Sequence, residues 1–217
     1  VRDALLGRLG NDLDFTTPAR PEVVYSILED WAETVWDTGI DFGTVSAAYK
    51  GQQIEITTFR SDSYDGQSRN PEVVYGDTLE GDLVRRDFKV NAMAIELLAD
   101  ASFTFHDPLH GLQDVADRGL DTPDKPEISF HDDPLRMLRA ARFASQLEFR
   151  VADRVVDAMR DMAGEIQRIT VERVQVELDK LICGTAPWDG IDLLVSTGIA
   201  DYIFPEIPAP VSYTHLR

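Results

Sequence analysis

DLDFTT, residues 12–17, sets two carboxylates on either side of a leucine and then runs into Phe15 and two threonines. Alternation with period two marks a β-strand, in which residues two apart share a face. LDFTT (Leu13 to Thr17) is therefore expected to be a strand, with Asp12 and Asp14 projecting together and Leu13 turned into the core. Two further β-branched runs give the same expectation, QIEITTF (Gln53 to Phe59) and FKVNAMAIEL (Phe88 to Leu97). Between the first two lies PEVVYSILEDWAETVW, which opens on a first-turn proline, Pro21, and places Val24, Ile27, Leu28 and Trp31 on one helical stripe. SDSYDGQSRNPEVVYG, ending at Gly76, is polar and rich in turn residues, and is expected to be a mobile loop. Residues 1–122 together read as α+β.

GLDTPDKPEIS, Gly119 to Ser129, carries two prolines and several helix breakers, and marks the domain boundary. Beyond it the pattern turns helical, with HDDPLRMLRAARFASQLEF, ADRVVDAMRDMAGEI, TVERVQVELDKLIC and PWDGIDLLVSTGI in succession. An Asp cap and a first-turn Pro134 precede good helix formers in the first of these, and Gly164, Gly184 and Gly198 are expected at helix ends.

At 217 residues, 43% hydrophobic and 28% charged, the chain can bury a core without staples, which excludes small disulfide scaffolds and disordered tails. No apolar run approaches the ~20 residues of a membrane span, so no membrane partner is expected. Twenty-one Lys and Arg against 39 Asp and Glu leave a formal charge of −18, which repels polyanions unless basic groups cluster or metal ions intervene. The single cysteine, Cys183, cannot pair within the chain, and Val1 opens it without a signal-peptide pattern. Cytoplasm is the expected compartment, and nothing in the sequence specifies an oligomeric state.

Two carboxylates ~4 Å apart repel by ~4 kcal/mol at an effective dielectric of 20, so enforced proximity of Asp12 and Asp14 points to a cation between them. Mg²⁺ is the natural candidate, although acidic chains also produce D-x-D in solvated turns. Glu55 alternates with Ile54 and Ile56, so its carboxylate faces away from its apolar neighbours. If its strand lies beside LDFTT, three carboxylates form a two-metal site for phosphoryl transfer; otherwise Glu55 is a solvent-facing strand residue. In DLVRRDFKVNAMA, Arg85, Arg86, Asp87 and Asn91 either make a surface ion pair or divide the work on a nucleotide, with Arg forking onto phosphate and Asp87 or Asn91 bonding ribose.

DDPLRMLRAARF places Asp133 and Arg136 three residues apart, as neighbours on one helical face. Such a pair is either a weak intrahelical salt bridge or a base reader. Cytosine and adenine each offer an amino donor beside a ring-nitrogen acceptor, which an acceptor Asp next to a donor Arg matches; uracil and guanine mismatch it, at ~1–3 kcal/mol per unpaired buried group. Arg142 lies about half a turn from Asp133, so Arg139 and Arg142 are expected to serve phosphate or RNA, or to hold the helix to the first domain. His106-Asp107 and His131-Asp132 lack further ligands at metal spacing, and nucleophile elbows and P-loops are absent.

VRDALLGRLGNDLDFTT, IEITTFR, GDLVRRDFKVNAMAIEL, HDPLHGLQDV, DDPLRMLRAARF, ERVQVELDKL and TGIADYIFPEI, in this order, resemble the class II tRNA nucleotidyltransferase and poly(A) polymerase family of the DNA polymerase β superfamily. The resemblance implies a catalytic nucleotidyltransferase head over residues 1–122, a helical neck selecting the nucleotide over 123–185, and the start of a helical body over 186–217. It implies Asp12 and Asp14 as the metal-binding pair, Glu55 as the third catalytic acid, and Arg2 on the nucleotide's phosphates. Arg86, with Asp87 and Asn91, falls in its nucleotide-binding motif. Asp133 and Arg136 match its protein template for CTP or ATP, with Arg139 and Arg142 as further nucleotide-site arginines. The implied activity adds CMP and AMP from CTP and ATP to the tRNA 3′ end, or AMP alone to RNA ends as a poly(A) polymerase. A catalytically impaired nucleotide- or RNA-binding remnant is the rival from another class. Lys89 stands where the family usually has Thr, His110 where a Gly-Gly pair is common, and the Gly-Gly strand end that precedes VRD in the family lies upstream of Val1. VSYTHLR, the last seven residues, falls outside the resemblance.

Overall fold

The computed structural model of the chain describes residues 1–8, 12–63 and 72–206. They form two compact units, residues 1–86 with 91–109, and residues 87–90 with those from 110 onward. The fold is mixed α+β, as the alternating and helical stretches require.

In the first unit a short helix, α1 (Arg2–Leu5), precedes a four-stranded sheet of β1 (Asp12–Thr17), β2 (Thr34–Trp36), β3 (Thr44–Tyr49) and β4 (Gln52–Thr58). The order is β1-β4-β3-β2, with β1 parallel to β4 and the other pairs antiparallel. Lys50 and Gly51 close the β3–β4 hairpin, both at positive φ (50° and 76°), as a two-residue turn matched to strand twist demands. Helix α2 (Pro21–Glu29) packs on β2, β3 and β4, burying Val24 and Leu28 against Val45 and Ala47.

Four expectations are corrected in this unit. Leu13 and Phe15 share the face of Ile54 and Ile56, yet each is 38% exposed. The reason is position: α2 lies over β2, β3 and β4, and β1 stands at the edge away from it. Helix α2 ends at Glu29, before Trp31, and Ile27 and Trp31 are exposed rather than part of a buried stripe. Trp31 instead stacks edge-on against Tyr49, with ring centroids 5.0 Å apart. The stretch expected to be a loop contributes two antiparallel strands, β5 (Arg60–Ser63) and β6 (Glu72–Tyr75); residues 64–71 between them lie outside the described residues. Helix α3 (Leu79–Val84) follows, capped by Thr78, whose hydroxyl accepts from the Gly81 N–H at 3.3 Å. The unit ends in the hairpin of β7 (Ala94–Leu97) and β8 (Phe103–His106). Only the second half of FKVNAMAIEL is therefore a strand. Its first half is a 3₁₀ turn at Lys89–Asn91, and Phe88 and Val90 are fully buried in the second unit.

The second unit contains α4 (Gly111–Ala116), β9 (Gly119–Leu120), α5 (Pro126–Asp132), α6 (Leu135–Leu147), β10 (Arg150–Val151), α7 (Asp153–Asp161), α8 (Val171–Ile182), α9 (Pro187–Ser196) and α10 (Ala200–Ile203). Helix α6 is its axis, packed against α5, α8 and α9, with Phe143 edge-on to Phe88 at 5.7 Å. A Cβ on Gly190 would stand 2.6 Å from the Ala141 carbonyl oxygen, so glycine is what lets α9 approach α6 so closely. Of the three glycines expected at helix ends, Gly198 follows α9 at φ 77°, whereas Gly164 lies inside a 3₁₀ turn at Ala163–Arg168. VSYTHLR lies outside the described residues.

Candidate active site

Parallel register sets Asp14 opposite Glu55, and β3 continues the row with Ser46. Neighbouring strands stand ~4.8 Å apart, so two carboxylates meet side by side on the sheet face away from α2. Asp14 is exposed and Glu55 half-buried, with Gln53 Nε2 donating to Glu55 Oε1 at 3.1 Å. Asp12 stands in backbone register with Gln53, and its side chain lies outside the described residues. Among the described residues no three His, Cys, Asp or Glu side chains converge as a metal set. The Asp14 and Glu55 pair is an all-oxygen donor set open to solvent, which fits a hard divalent cation that keeps part of its hydration.

Arg2, Arg86 and Asn91 come together in the same unit. Arg2 Nη1 donates to Asn91 Oδ1 at 2.5 Å, and Arg86 Nη1 reaches the Asn91 carbonyl at 3.5 Å. Behind them is a residue the sequence reading passed over. Asp82, fully buried within α3, accepts from Arg85 Nη2 at 2.8 Å through Oδ1 and from Arg86 Nη2 at 3.0 Å through Oδ2. Its Oδ1 also accepts from the Arg60 backbone N–H at 3.3 Å. Burial alone would push the Asp82 carboxyl up, but the two guanidiniums outweigh it and hold it below the usual carboxylate range. The signal was present as D-x-x-R-R, the i,i+3 and i,i+4 spacing that stacks an acid under two arginines.

Asp87, the next residue after Arg86, belongs to the second unit, where it is buried and pairs with Arg139 at 2.8 Å. Asp133 lies between α5 and α6 rather than within one helix, so the expected placement on a shared helical face with Arg136 does not hold; Pro134 forces the extended backbone before it. The Asp133 carboxylate caps α6 through the Leu135 N–H at 3.2 Å and accepts from Arg173 at 3.0 Å, while Arg136 donates to Ser129 Oγ at 2.8 Å. Arg142 is buried and pairs with Glu177 of α8 at 3.2 Å, its guanidinium 4.3 Å from the Phe143 ring centroid. It ties α6 to α8. Arg173 and Glu177 sit in the quoted ERVQVELDKL stretch, but their partners lie some forty residues away and no local spacing announces them. Lys89, where the resemblance leads one to expect Thr, is matched by Asp121 at 2.7 Å, which Arg154 also holds at 2.8 Å.

Among the described residues no helix is long and apolar enough to cross a membrane. The chain is 41% identical over 203 residues to the CCA-adding enzyme of Levilactobacillus brevis, and 38% identical over 204 residues to that of Listeria monocytogenes. The matches cover 93% and 94% of this chain and 49% and 50% of those enzymes, so the chain spans about half the length of the curated relatives it matches. Among solved structures it is similar to the Bacillus stearothermophilus CCA-adding enzyme in complex with CTP, with a TM-score of 0.82 at 36% identity, over 93% of this chain and 47% of that one. A tRNA nucleotidyltransferase complexed with a primer tRNA and an incoming ATP analogue gives a TM-score of 0.79 at 26% identity, over 94% and 56%. Residues 148–209 match a family described as a probable RNA and SrmB-binding site of polymerase A. Residues 1–121, which contain the paired acidic strands and the arginine cluster, match the poly A polymerase head domain, and the chain belongs to that family.

Proposed function

We propose that this chain is the nucleotidyltransferase portion of a CCA-adding enzyme, which transfers CMP and AMP from CTP and ATP to the 3′ end of tRNA. The carrying observation is the register of Asp14 against Glu55 on parallel strands, within a chain whose similarity to CCA-adding enzymes runs over more than nine-tenths of its length. In the transfer, the primer 3′ oxygen forms a bond to the α-phosphorus, the α–β bridging bond breaks, and pyrophosphate leaves. Asp12 and Asp14 would hold the divalent metal, taken to be Mg²⁺, which supplies charge neutralisation on the triphosphate and a lowered pKa for the primer hydroxyl. Glu55 assists that hydroxyl from the neighbouring strand. Arg2 and Arg86 bind phosphate, with Asn91 setting both, and Asp87 and Arg139, paired in the second unit, are further nucleotide-binding residues. Asp133 and Arg136 read the base, and Arg142 contributes by fixing α6 on α8.

In functional terms residues 1–122 are the catalytic head, 123–185 the nucleotide-selecting neck and 186–217 the start of the body. A cytoplasmic location goes with tRNA and nucleoside triphosphates as substrates. The match to a poly A polymerase head domain keeps AMP-only addition as the second reading. Single-nucleotide incorporation separates them, using tRNA transcripts lacking CCA or ending in CC, and an A-rich RNA, each with CTP, ATP, UTP or GTP. CMP on the first transcript and AMP on the second is the expected result. AMP on any RNA, without CMP, would establish the poly(A) reading, and nucleotide binding without incorporation would identify an impaired remnant.

A further inference from the structure

The structure assigns Asp82 as a positioning residue for the nucleotide site: its buried carboxylate orients Arg86, whose other edge reaches the Asn91 carbonyl. This rests on the reading of Arg86, Asn91 and Arg2 as nucleotide-binding.

The geometry runs in one chain of contacts within the first unit. Asp82 is fully buried, and its two oxygens face two different arginines. Arg85 spends both Nε, at 3.1 Å, and Nη2, at 2.8 Å, on Oδ1, and is the more buried of the pair. Arg86 gives Nη2 to Oδ2 and turns Nη1 to the Asn91 carbonyl at 3.5 Å, while its side chain stays 37% exposed. Asn91 then receives Arg2 at its side-chain oxygen. A carboxylate beneath two guanidiniums leaves one net positive charge in the group, and the more exposed guanidinium, Arg86, carries it outward. Fixing a guanidinium plane before the ligand arrives removes the rotamer entropy that binding would otherwise cost. The fit is to the polyphosphate of a nucleoside triphosphate, since a planar fork held at one edge presents its other donors to phosphate oxygens. A carboxylate held below its usual range stays ionised across physiological pH, so the clamp does not release.

The test measures equilibrium binding of ATP, CTP and inorganic tripolyphosphate to the chain and to Asp82→Asn, Arg86→Ala, Arg86→Lys and the Asp82→Asn/Arg86→Ala pair. Asp82→Asn is expected to weaken all three ligands about tenfold, as for loss of a hydrogen bond to a charged group. In the Arg86→Ala background Asp82→Asn should add no further loss, which a merely structural role would not produce. Arg86→Lys keeps the charge without the fork and should lose nearly as much as Arg86→Ala, so the inference stays testable if Asp82→Asn fails to fold. Equal losses from Asp82→Asn in both backgrounds, or full affinity in Arg86→Lys, would overturn the positioning role while leaving Arg86 as a phosphate contact. Unchanged binding in Arg86→Ala, or none by the unvaried chain, would instead remove the underlying reading of the site and this inference with it.

Discussion

In the second unit ten of the thirteen residues of α6 are buried, whereas in the first Leu13 and Phe15 on β1 stand 38% exposed and Leu97 and Phe103 on the β7–β8 hairpin 68% and 70%. Charged pairs show the same contrast between α8 and β1, although Asp82 of the first unit is itself fully buried. Arg142 and Glu177 are held inside the helical packing, while Asp14 stands in solvent beside a half-buried Glu55. On the proposed reading, base selection needs donors and acceptors that do not move, because an adaptable site would accept the wrong base at little cost. A hydrated cation and a polyanionic ligand need an approach that a closed core would block. The contrast is therefore between a closed helix, α6, and an open strand and hairpin.

The sharpest test of that division is Asp14→Asn. Changes behind a metal ligand already cost ~10–100-fold in activity, so loss of a donor itself should lower nucleotide incorporation by more than ~100-fold. The unfolding free energy from urea titration should stay within ~0.5 kcal/mol, as for an exposed substitution; a large stability loss would show that the open strand also carries packing. Next comes Glu177→Ala, which strands a buried Arg142 and should cost about 3–5 kcal/mol in urea unfolding. The Arg142→Met/Glu177→Leu pair should recover most of it, and failure to recover would mean that Arg142 does more than tie α6 to α8.

Acid should act on both units alike. Asp82 in the first and Asp121 in the second are both held below the usual carboxylate range: burial opposes this, but Arg85 and Arg86 outweigh it at Asp82, and Arg154 and Lys89 at Asp121. A depressed carboxyl contributes its stability above its unfolded pKa, about 4, and loses it as pH falls toward the folded value. Stability should thus fall below about pH 4, and less steeply in Asp82→Asn; an unchanged slope would mean that Asp82 is not ionised in the folded chain. The smallest effect belongs to the hairpin, where Leu97→Thr and Phe103→Thr should each change stability by no more than ~0.5 kcal/mol. A cost above ~1 kcal/mol would reveal that something covers this face in solution.

How much of this was legible depends on the range of the signal. Strands β1 and β4 announce themselves because alternation is local, and the carboxylates on them stand in the expected register partnership. Burial of Leu13 did not follow, since alternation tells which face a residue takes and not whether a helix covers it. The β5–β6 hairpin was hidden because its polar residues carry none of the apolar pattern that marks a packed strand. The Asp cap before Pro134 was legible, but Asp133 stands ahead of α6 rather than on its face with Arg136, because Pro134 keeps the residue before it extended. Arg173 and Glu177 could not be matched to Asp133 and Arg142 at all, because tertiary pairs across some forty residues leave no spacing to read. Asp82 is the instructive case: its spacing to Arg85 and Arg86 was in plain view, and only burial distinguishes it from a surface ion pair.

Residues 87–90 belong to the second unit although residues 91–109 return to the first. During synthesis the whole first unit is therefore made while Phe88 and Val90 still lack the core that will bury them. Phe88 is covered only when Phe143 and the rest of α6 have been added. At ~5–20 residues per second that interval lasts for seconds, during which Phe88 and Val90, next in sequence to Arg85 and Arg86, are open to chaperones and to other nascent chains. Cutting the gene at residue 109 would make the exposure permanent, so the first unit is not a portable piece on its own.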